Sequence, residues 1–133
     1  DAAIDAGTPV AVVMADLPLA DPAALERLLA TEGDVVFAPG LGGGTNAMVV
    51  HTPEFSVDYH GASIADHRRI AEDRGLSVGE VDSLRLGTDV DEPADLLEVL
   101  LHGGGRSREW LAAAGLRVET TSGRATVTRT EAE

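Results

Sequence analysis

The sequence predicts an α/β fold with a mostly parallel central sheet flanked by helices, and three observations predict it. Apolar runs of strand length lack alternation, which suits strands covered on both faces. Segments headed by Asp-Pro or Glu-Pro and carrying leucines at helical spacing lie between those runs, as strand-to-strand helices would. Glycine and proline clusters separate the elements.

The opening stretch, Asp1 to Gly7, reads as the last turns of a helix that ends on glycine. After Thr8-Pro9, the run Val10-Ala11-Val12-Val13-Met14-Ala15 is too continuous for a half-exposed strand and is expected to be a central parallel one ending at Asp16. Asp21-Pro22 supplies an N-cap followed by proline in the first helical turn, with Leu25, Leu28 and Leu29 on one face of the helix. Val35 to Ala38 makes a second buried strand, stopped by Pro39-Gly40, and Ala47 to Val50 makes a third.

Ser63 is placed to cap a helix through about Arg74, with Ile64, His67 and Ile70 at helical spacing and Gly75 as its stop. Another strand-like segment follows, and Ser83-Leu84-Arg85-Leu86 leads into Gly87-Thr88-Asp89-Val90-Asp91. Glu92-Pro93 then starts a helix with an apolar stripe of Leu96, Leu97, Leu100 and Leu101. Gly103-Gly104-Gly105 interrupts the chain, a short helix around Trp110 ends at Gly115, and Leu116 to Thr130 reads as two strands about Ser122-Gly123. Residues 1–102 are therefore expected to carry the functional domain and residues 103–133 a small C-terminal β appendage.

Composition narrows the function. The 133 residues suit one domain, and 44% of them are hydrophobic, yet no stretch approaches the ~18 uninterrupted apolar residues of a membrane helix. No secretory signal is recognisable, so the cytoplasm is the default location. The absence of cysteine excludes disulfides, thiolate metal sites and cysteine nucleophiles, leaving oxygen or imidazole ligands for any metal. Net charge is −13, and all ten basic residues are Arg. A high-GC genome would favour arginine; a salt-loving organism would also account for the carboxylates, which molar salt screens. Nucleic acid and anionic membranes are poor partners for such a surface, and an anionic substrate needs a local device such as metal ions or oriented N–H groups.

Three features carry chemistry. Asp16 stands at the carboxyl end of a strand, where α/β sheets gather their ligands, although it would also serve to cap the turn before Leu17-Pro18. Asp89-Val90-Asp91 is an alternating pair whose carboxylates share one side of an extended segment and suit a hard cation; Asp91 is also placed to cap the helix at Pro93. In Gly40-Leu41-Gly42-Gly43-Gly44-Thr45-Asn46, adjacent glycines permit close backbone approach and a nest of N–H groups for phosphate or carboxylate; a flexible surface loop is the alternative. With no lysine anywhere, this is not a P-loop.

Taken in order, Met14-Ala15-Asp16-Leu17-Pro18-Leu19, then Phe37 to Ala47 with its Pro-Gly-Leu-Gly-Gly-Gly-Thr-Asn run, then Thr88-Asp89-Val90-Asp91-Glu92-Pro93-Ala94-Asp95-Leu96 resemble successive signatures of the 2-phospho-L-lactate guanylyltransferase family of coenzyme F420 biosynthesis. The resemblance runs from about Thr8 to His102, and the Pro-Gly-to-Thr-Asn run is its specific part; no functional match is claimed beyond Gly103. It implies a Rossmann-like fold of the nucleotide-diphospho-sugar-transferase type. It also implies magnesium on Asp16, Asp89 and Asp91, and acceptor binding by Gly42, Gly43, Gly44, Thr45, Asn46, Gly61 and Ser63. The family pattern Tyr-Gly-x-x-Ser-Phe becomes Tyr59-His60-Gly61-Ala62-Ser63-Ile64 here, with glycine one place late. His67 also sits at a family-like position, as a ligand contact or as packing.

The implied reaction joins GMP from GTP to 2-phospho-L-lactate and releases pyrophosphate. Phosphoenolpyruvate and 3-phosphoglycerate are alternative acceptors, and a homodimer is an assembly the family would permit. Related enzymes begin with a strand and a glycine- and basic-residue-containing nucleotide loop, which nothing before Asp16 matches, so the chain is expected to be an N-terminally incomplete copy. A non-catalytic α/β binding module is the competing expectation. A sugar-phosphate or molybdopterin nucleotidylyltransferase is a third, against which the Gly42 to Asn46 run argues.

Overall fold

A computed structural model describes residues 1–5 and 9–130. Its element order is α1 (Ala2–Asp5), β1 (Val10–Val13), α2 (Pro22–Ala30), β2 (Val35–Pro39), β3 (Thr45–Val50), α3 (Ser63–Asp73), β4 (Val78–Glu80) and α4 (Leu84–Gly87). A 3-10 turn, Pro93–Asp95, leads into α5 (Leu96–His102), followed by α6 (Gly105–Ala113), β5 (Leu116–Thr121) and β6 (Arg124–Arg129). The expected opening helix is α1; the glycine assigned to its end, Gly7, lies outside the described residues.

The α/β class is borne out, with a four-stranded sheet in the order β1-β3-β2-β4. β3 runs antiparallel to both β1 and β2, while β2 and β4 are parallel. Three strands therefore share one direction, and β3 is the single reversed one. The reason is local: the turn Gly40–Gly44 is too short for a crossover helix, so the chain folds straight back from β2 into β3 as a hairpin.

β2 and β3 form the centre. Val36, Ala38, Ala47 and Val49 face Leu17, Ala24, Leu28, Val81 and Leu86 on one side. Val35, Phe37, Met48 and Val50 face Ile4, Phe55, Ile64 and Ala71 on the other. Burial of each large side chain stabilises by roughly 1.5–3 kcal/mol, which is why the unalternating runs read from the sequence become covered strands.

The first apolar run corrects the expectation made for it. β1 is neither central nor parallel to its neighbour: among the described residues it pairs only with β3, antiparallel, and Val13 is 42% exposed. A continuous apolar run gives a strand the capacity for burial on both sides but does not say which strands flank it. In α2, Asp21 accepts the Ala24 N–H as predicted, while Leu29 points outward at 58% exposure and Leu28 occupies the core. Ser63 is the first residue of α3 rather than its cap, because Ala62 holds that position. Ser83 caps a helical turn, α4, so the strand in that region is Val78–Glu80.

The C-terminal hairpin is as expected, with Ser122 and Gly123 both at positive φ in the turn. Val99 and Leu100 of α5 pack with Leu111 of α6, joined by Leu116 and Val127, so one small core spans the break at Gly103. No described helix is long and apolar enough to cross a membrane.

Candidate functional site

Because β3 is reversed, its first residues lie at the same end of the sheet as the last residues of β1 and β2. That end gathers the loop after β1 with Asp16, the glycine turn, Thr45-Asn46 and the segment Thr88–Asp91. Backbone bonds tie them together: Met14 N–H to Asn46 O at 2.9 Å, Val90 N–H to Asp16 O at 3.1 Å, and Leu41 N–H to Gly87 O at 2.9 Å. This is the crevice outside the carboxyl ends of parallel strands in which α/β proteins bind ligands.

The glycine turn is built more tightly than a flexible loop. Gly40 N–H donates to Gly44 O at 2.9 Å, and Gly43 N–H turns inward to Gly40 O at 3.0 Å. The three adjacent glycines therefore do not offer three consecutive free donors, which corrects the simple nest. Gly43 needs its glycine for a φ of +87°, whereas a Cβ on Gly42 would meet nothing within 4 Å. The open space beside Gly42 leaves room for a ligand.

Leaving the turn, Ala38 pairs with Ala47 and Pro39 with Thr45, so Asn46 has no partner in β2. Such a bulge re-aims side chains at the rim of a sheet. Thr45 turns toward α3, where its N–H donates to Ser63 Oγ at 3.0 Å, and its Oγ1 lies 3.2 Å from Ser63 Oγ and 2.7 Å from His67 Nδ1. Asn46 turns the other way, its Nδ2 donating to Asp89 Oδ1 at 3.1 Å. Thr45 and Ser63 are 2% and 4% exposed and would form the floor of the candidate site. Gly61 stands apart at the surface, where its carbonyl accepts the Ser63 N–H at 2.9 Å and its φ of +53° shapes the entry to α3.

On the acidic side, Asp91 is not the cap of the following helix. Glu92 holds the N-cap position, and Asp95, three residues on, closes a capping box by reaching back to accept the N–H groups of Asp91 and Glu92 at 2.9 and 2.7 Å. Asp16 and Asp89 stand close enough to Asp91 to act on it: its carboxyl is held above the usual range by Asp89 first, then desolvation, then Asp16. Among the described residues no group of three or more His, Asp or Glu is arranged so that it could hold a metal ion as it stands. The three aspartates are thus neighbours under mutual repulsion rather than a closed cage. That repulsion is what a divalent cation would relieve, and the Thr88 hydroxyl next to Asp89 is buried without a hydrogen-bond partner among the described residues, so the donor set fits a hard cation in kind.

The structure changes the part played by two residues named from the sequence and adds one feature that the sequence did not show. Asn46 was expected among the acceptor groups, yet its amide contacts the acidic side. His67 is fully buried, between Phe37, Phe55 and Tyr59, and so is not a ligand contact; its spacing of four residues from Ser63 was the available signal that both share a helix face. Beside Asp16 a pocket of about 300 Å³ is lined by Val90, Leu96, Val99 and Trp110.

The family model described as guanylyl transferase CofC like matches residues 2–131. The chain is 70% identical over 123 residues to a 2-phospho-L-lactate guanylyltransferase of Haloferax volcanii, covering 92% of this chain and 60% of that protein. It is 67% identical over 121 residues to the enzyme of the same name from Halomicrobium mukohataei, covering 91% and 60%. With that of Natronomonas pharaonis it shares 63% over 129 residues, covering 96% and 64%. The chain thus spans about three fifths of the length of these curated relatives.

Proposed function

The chain belongs to the family of CofC-like guanylyl transferases, and from that premise we propose that it serves the joining of GMP from GTP to 2-phospho-L-lactate, with release of pyrophosphate, in coenzyme F420 biosynthesis. One observation carries this reading. A hydroxyl pair, Thr45 and Ser63, and an acidic cluster, Asp16, Asp89 and Asp91, sit at one end of the sheet, with adjacent residues of one strand, Thr45 and Asn46, reaching into each. The activity for which the relatives are named supports the substrates.

In the reaction a phosphate oxygen of the acceptor attacks the α-phosphorus of GTP, a new P–O bond forms, and the bond to the departing pyrophosphate breaks. The acceptor phosphate is already ionised at neutral pH, so no general base is needed, and positioning with charge neutralisation supplies the catalysis. Thr45 and Ser63 donate hydroxyl hydrogen bonds to the acceptor's phosphate or carboxylate, while the space beside Gly42 admits it. Asp16, Asp89 and Asp91 would hold magnesium, which would offset the charge shared by the two phosphates. The reaction takes place in the cytoplasm, where GTP is found.

The test is pyrophosphate release from GTP, magnesium and acceptor at molar KCl, run on this chain beside the Haloferax volcanii relative. Phosphoenolpyruvate and 3-phosphoglycerate serve as competing acceptors, and binding of each acceptor to this chain is measured alongside. Preferential binding of 2-phospho-L-lactate supports the reading. A folded chain that binds none of the three acceptors overturns it.

A further inference from the structure

Among the described residues His67 is the one titratable side chain buried inside the sheet–α3 core, and both of its ring nitrogens are engaged. The backbone N–H of Asp58 donates to Nε2 at 2.9 Å, so Nε2 carries no proton. A neutral imidazole with a bare Nε2 bears its hydrogen on Nδ1, and that atom lies 2.7 Å from Thr45 Oγ1. Thr45 is therefore an acceptor toward His67 and cannot spend its own hydroxyl proton there.

The consequence reaches the anion floor. Ser63 Oγ already accepts the Thr45 N–H, and the two hydroxyls lie 3.2 Å apart. Only one of them can donate across that gap, so at least one hydroxyl proton has no acceptor within the pair. An arriving oxyanion can draw both protons outward. With the opposite tautomer, Nδ1 would accept the Thr45 proton and remove one donor from the site, while Nε2–H would oppose the Asp58 N–H.

We propose that His67 is a positioning residue for acceptor binding: locked by the Asp58 amide with its hydrogen on Nδ1, it donates to Thr45 and keeps the Thr45 and Ser63 hydroxyl protons available to the acceptor's oxyanion. This rests on the acceptor reading given above. The surroundings hold the ring in that form. Phe37 stacks on it at 5.8 Å, Phe55 lies at 5.7 Å and the Tyr59 ring meets it edge-on at 4.9 Å. Burial lowers the tendency of the ring to charge, against the opposing pull of Asp58 and Asp66. The Asp58 carboxylate itself is engaged by His60, at 2.5 Å.

The experiment has two independent parts. In the ¹⁵N-labelled chain at molar KCl, the two-bond proton–nitrogen spectrum of His67 at pH 7 is expected to show protonated Nδ1 and unprotonated Nε2; a proton on Nε2 overturns the proposal whatever the chain binds. The second part measures 2-phospho-L-lactate affinity in the wild type, His67→Phe and His67→Asn. His67→Phe keeps an aromatic ring but no donor and is expected to weaken binding about tenfold, the scale of one hydrogen bond to a charged network. His67→Asn places an amide N–H where Nδ1–H stood and is expected to stay within about threefold of wild type. Equal affinity in His67→Phe overturns the proposal. If His67→Phe does not fold, a His67→Asn affinity near wild type together with the expected tautomer supports it, and a loss in His67→Asn overturns it. A wild-type chain with the expected tautomer that binds no phosphorylated acid overturns the acceptor reading, and the role of His67 with it.

Discussion

Asn46 Nδ2 donates to Asp89 Oδ1 at 3.1 Å, while the same side chain fills the space in which a Cβ on Gly40 would stand, 2.4 Å from Asn46 Oδ1. The glycine turn therefore fixes the amide, and the amide fixes one carboxylate of the acidic cluster. Two substitutions on different elements should then fail alike. Asn46→Ala removes the donor and Gly40→Ala pushes it aside, each costing about 1 kcal/mol in the bond to Asp89. Both are expected to weaken divalent-cation binding, and the double variant should be little worse than either alone, because only one contact is being removed. Titration with Mn²⁺ followed by electron paramagnetic resonance measures this; additive losses would show that the two residues act separately.

The acidic cluster predicts a split between stability and binding. Asp89 and Asp16 both press on Asp91, so Asp91→Asn relieves repulsion in the metal-free chain and should leave it no less stable to denaturant. Its divalent-cation affinity should nonetheless fall at least about tenfold, since charge count sets affinity in oxygen-ligand sites. Asp89→Asn should behave likewise and also lose the acceptor for Asn46. Pyrophosphate release should vanish in both wherever the wild type shows it. Metal binding unchanged in Asp91→Asn would remove that residue from the ligand set.

What the sequence disclosed, and what it hid, follows from the range of the interactions. Asp21-Pro22, Gly75 and Ser122-Gly123 act on neighbours a few residues away, and the structure places each where the local chemistry required. The places of Asp16 after β1 and of the glycine turn after β2 were legible too, although β1 stops at Val13 rather than Ala15 and β3 begins at Thr45 rather than Ala47. The neighbours of β1 were not, because Val10 to Val13 would read the same in an edge or a central position. Nor was the service of Asp95 to the Asp91 and Glu92 N–H groups, since several acidic residues competed for that role at suitable spacing. The link from Asp58 through His67 to Thr45 depends on a loop returning its backbone to a helix face, which no spacing encodes.

Acidification should destabilise the fold before the carboxylates titrate. His67 is held below its ordinary value of 6.5 by burial first, against the pull of Asp58 and Asp66. The unfolded chain therefore binds a proton near pH 6.5 that the folded chain refuses, so the stability His67 contributes is complete above pH 6.5 and is lost as pH falls toward its folded value. His60 works in the opposite sense: Asp58 raises it, so its contribution is present below 6.5 and lost as pH rises through its folded value. Asp34 and Asp58, both lowered from 3.8, add losses only in more acid solution. Urea unfolding at pH 7 and pH 5 should show a fall in wild-type stability that His67→Asn largely removes and His60→Ala deepens. A wild-type stability that stays level over that range, with His60→Ala also level, would contradict the burial of a neutral imidazole.

Salt should stabilise the chain through its surface rather than through its site. The net charge is −13, and the Arg68–Glu80, Arg69–Asp66 and Arg85–Asp21 pairs are all partly open to solvent. Such pairs are worth about 0–1 kcal/mol each and weaken with ionic strength, whereas the repulsion among unpaired carboxylates is spread over the whole surface. Raising KCl shortens the screening length from about 10 Å at 0.1 M to about 3 Å at 1 M, which removes more repulsion than attraction. The melting temperature is expected to climb steeply up to about 1 M KCl and more slowly above it, and NaCl at equal ionic strength should follow the same course. Arg68→Ala should lower it measurably at 0.1 M and hardly at all at 2 M, because its pair with Glu80 is already screened there. A melting temperature that falls with KCl would mean that the ion pairs outweigh the net charge and that the acidic surface is not a device for molar salt.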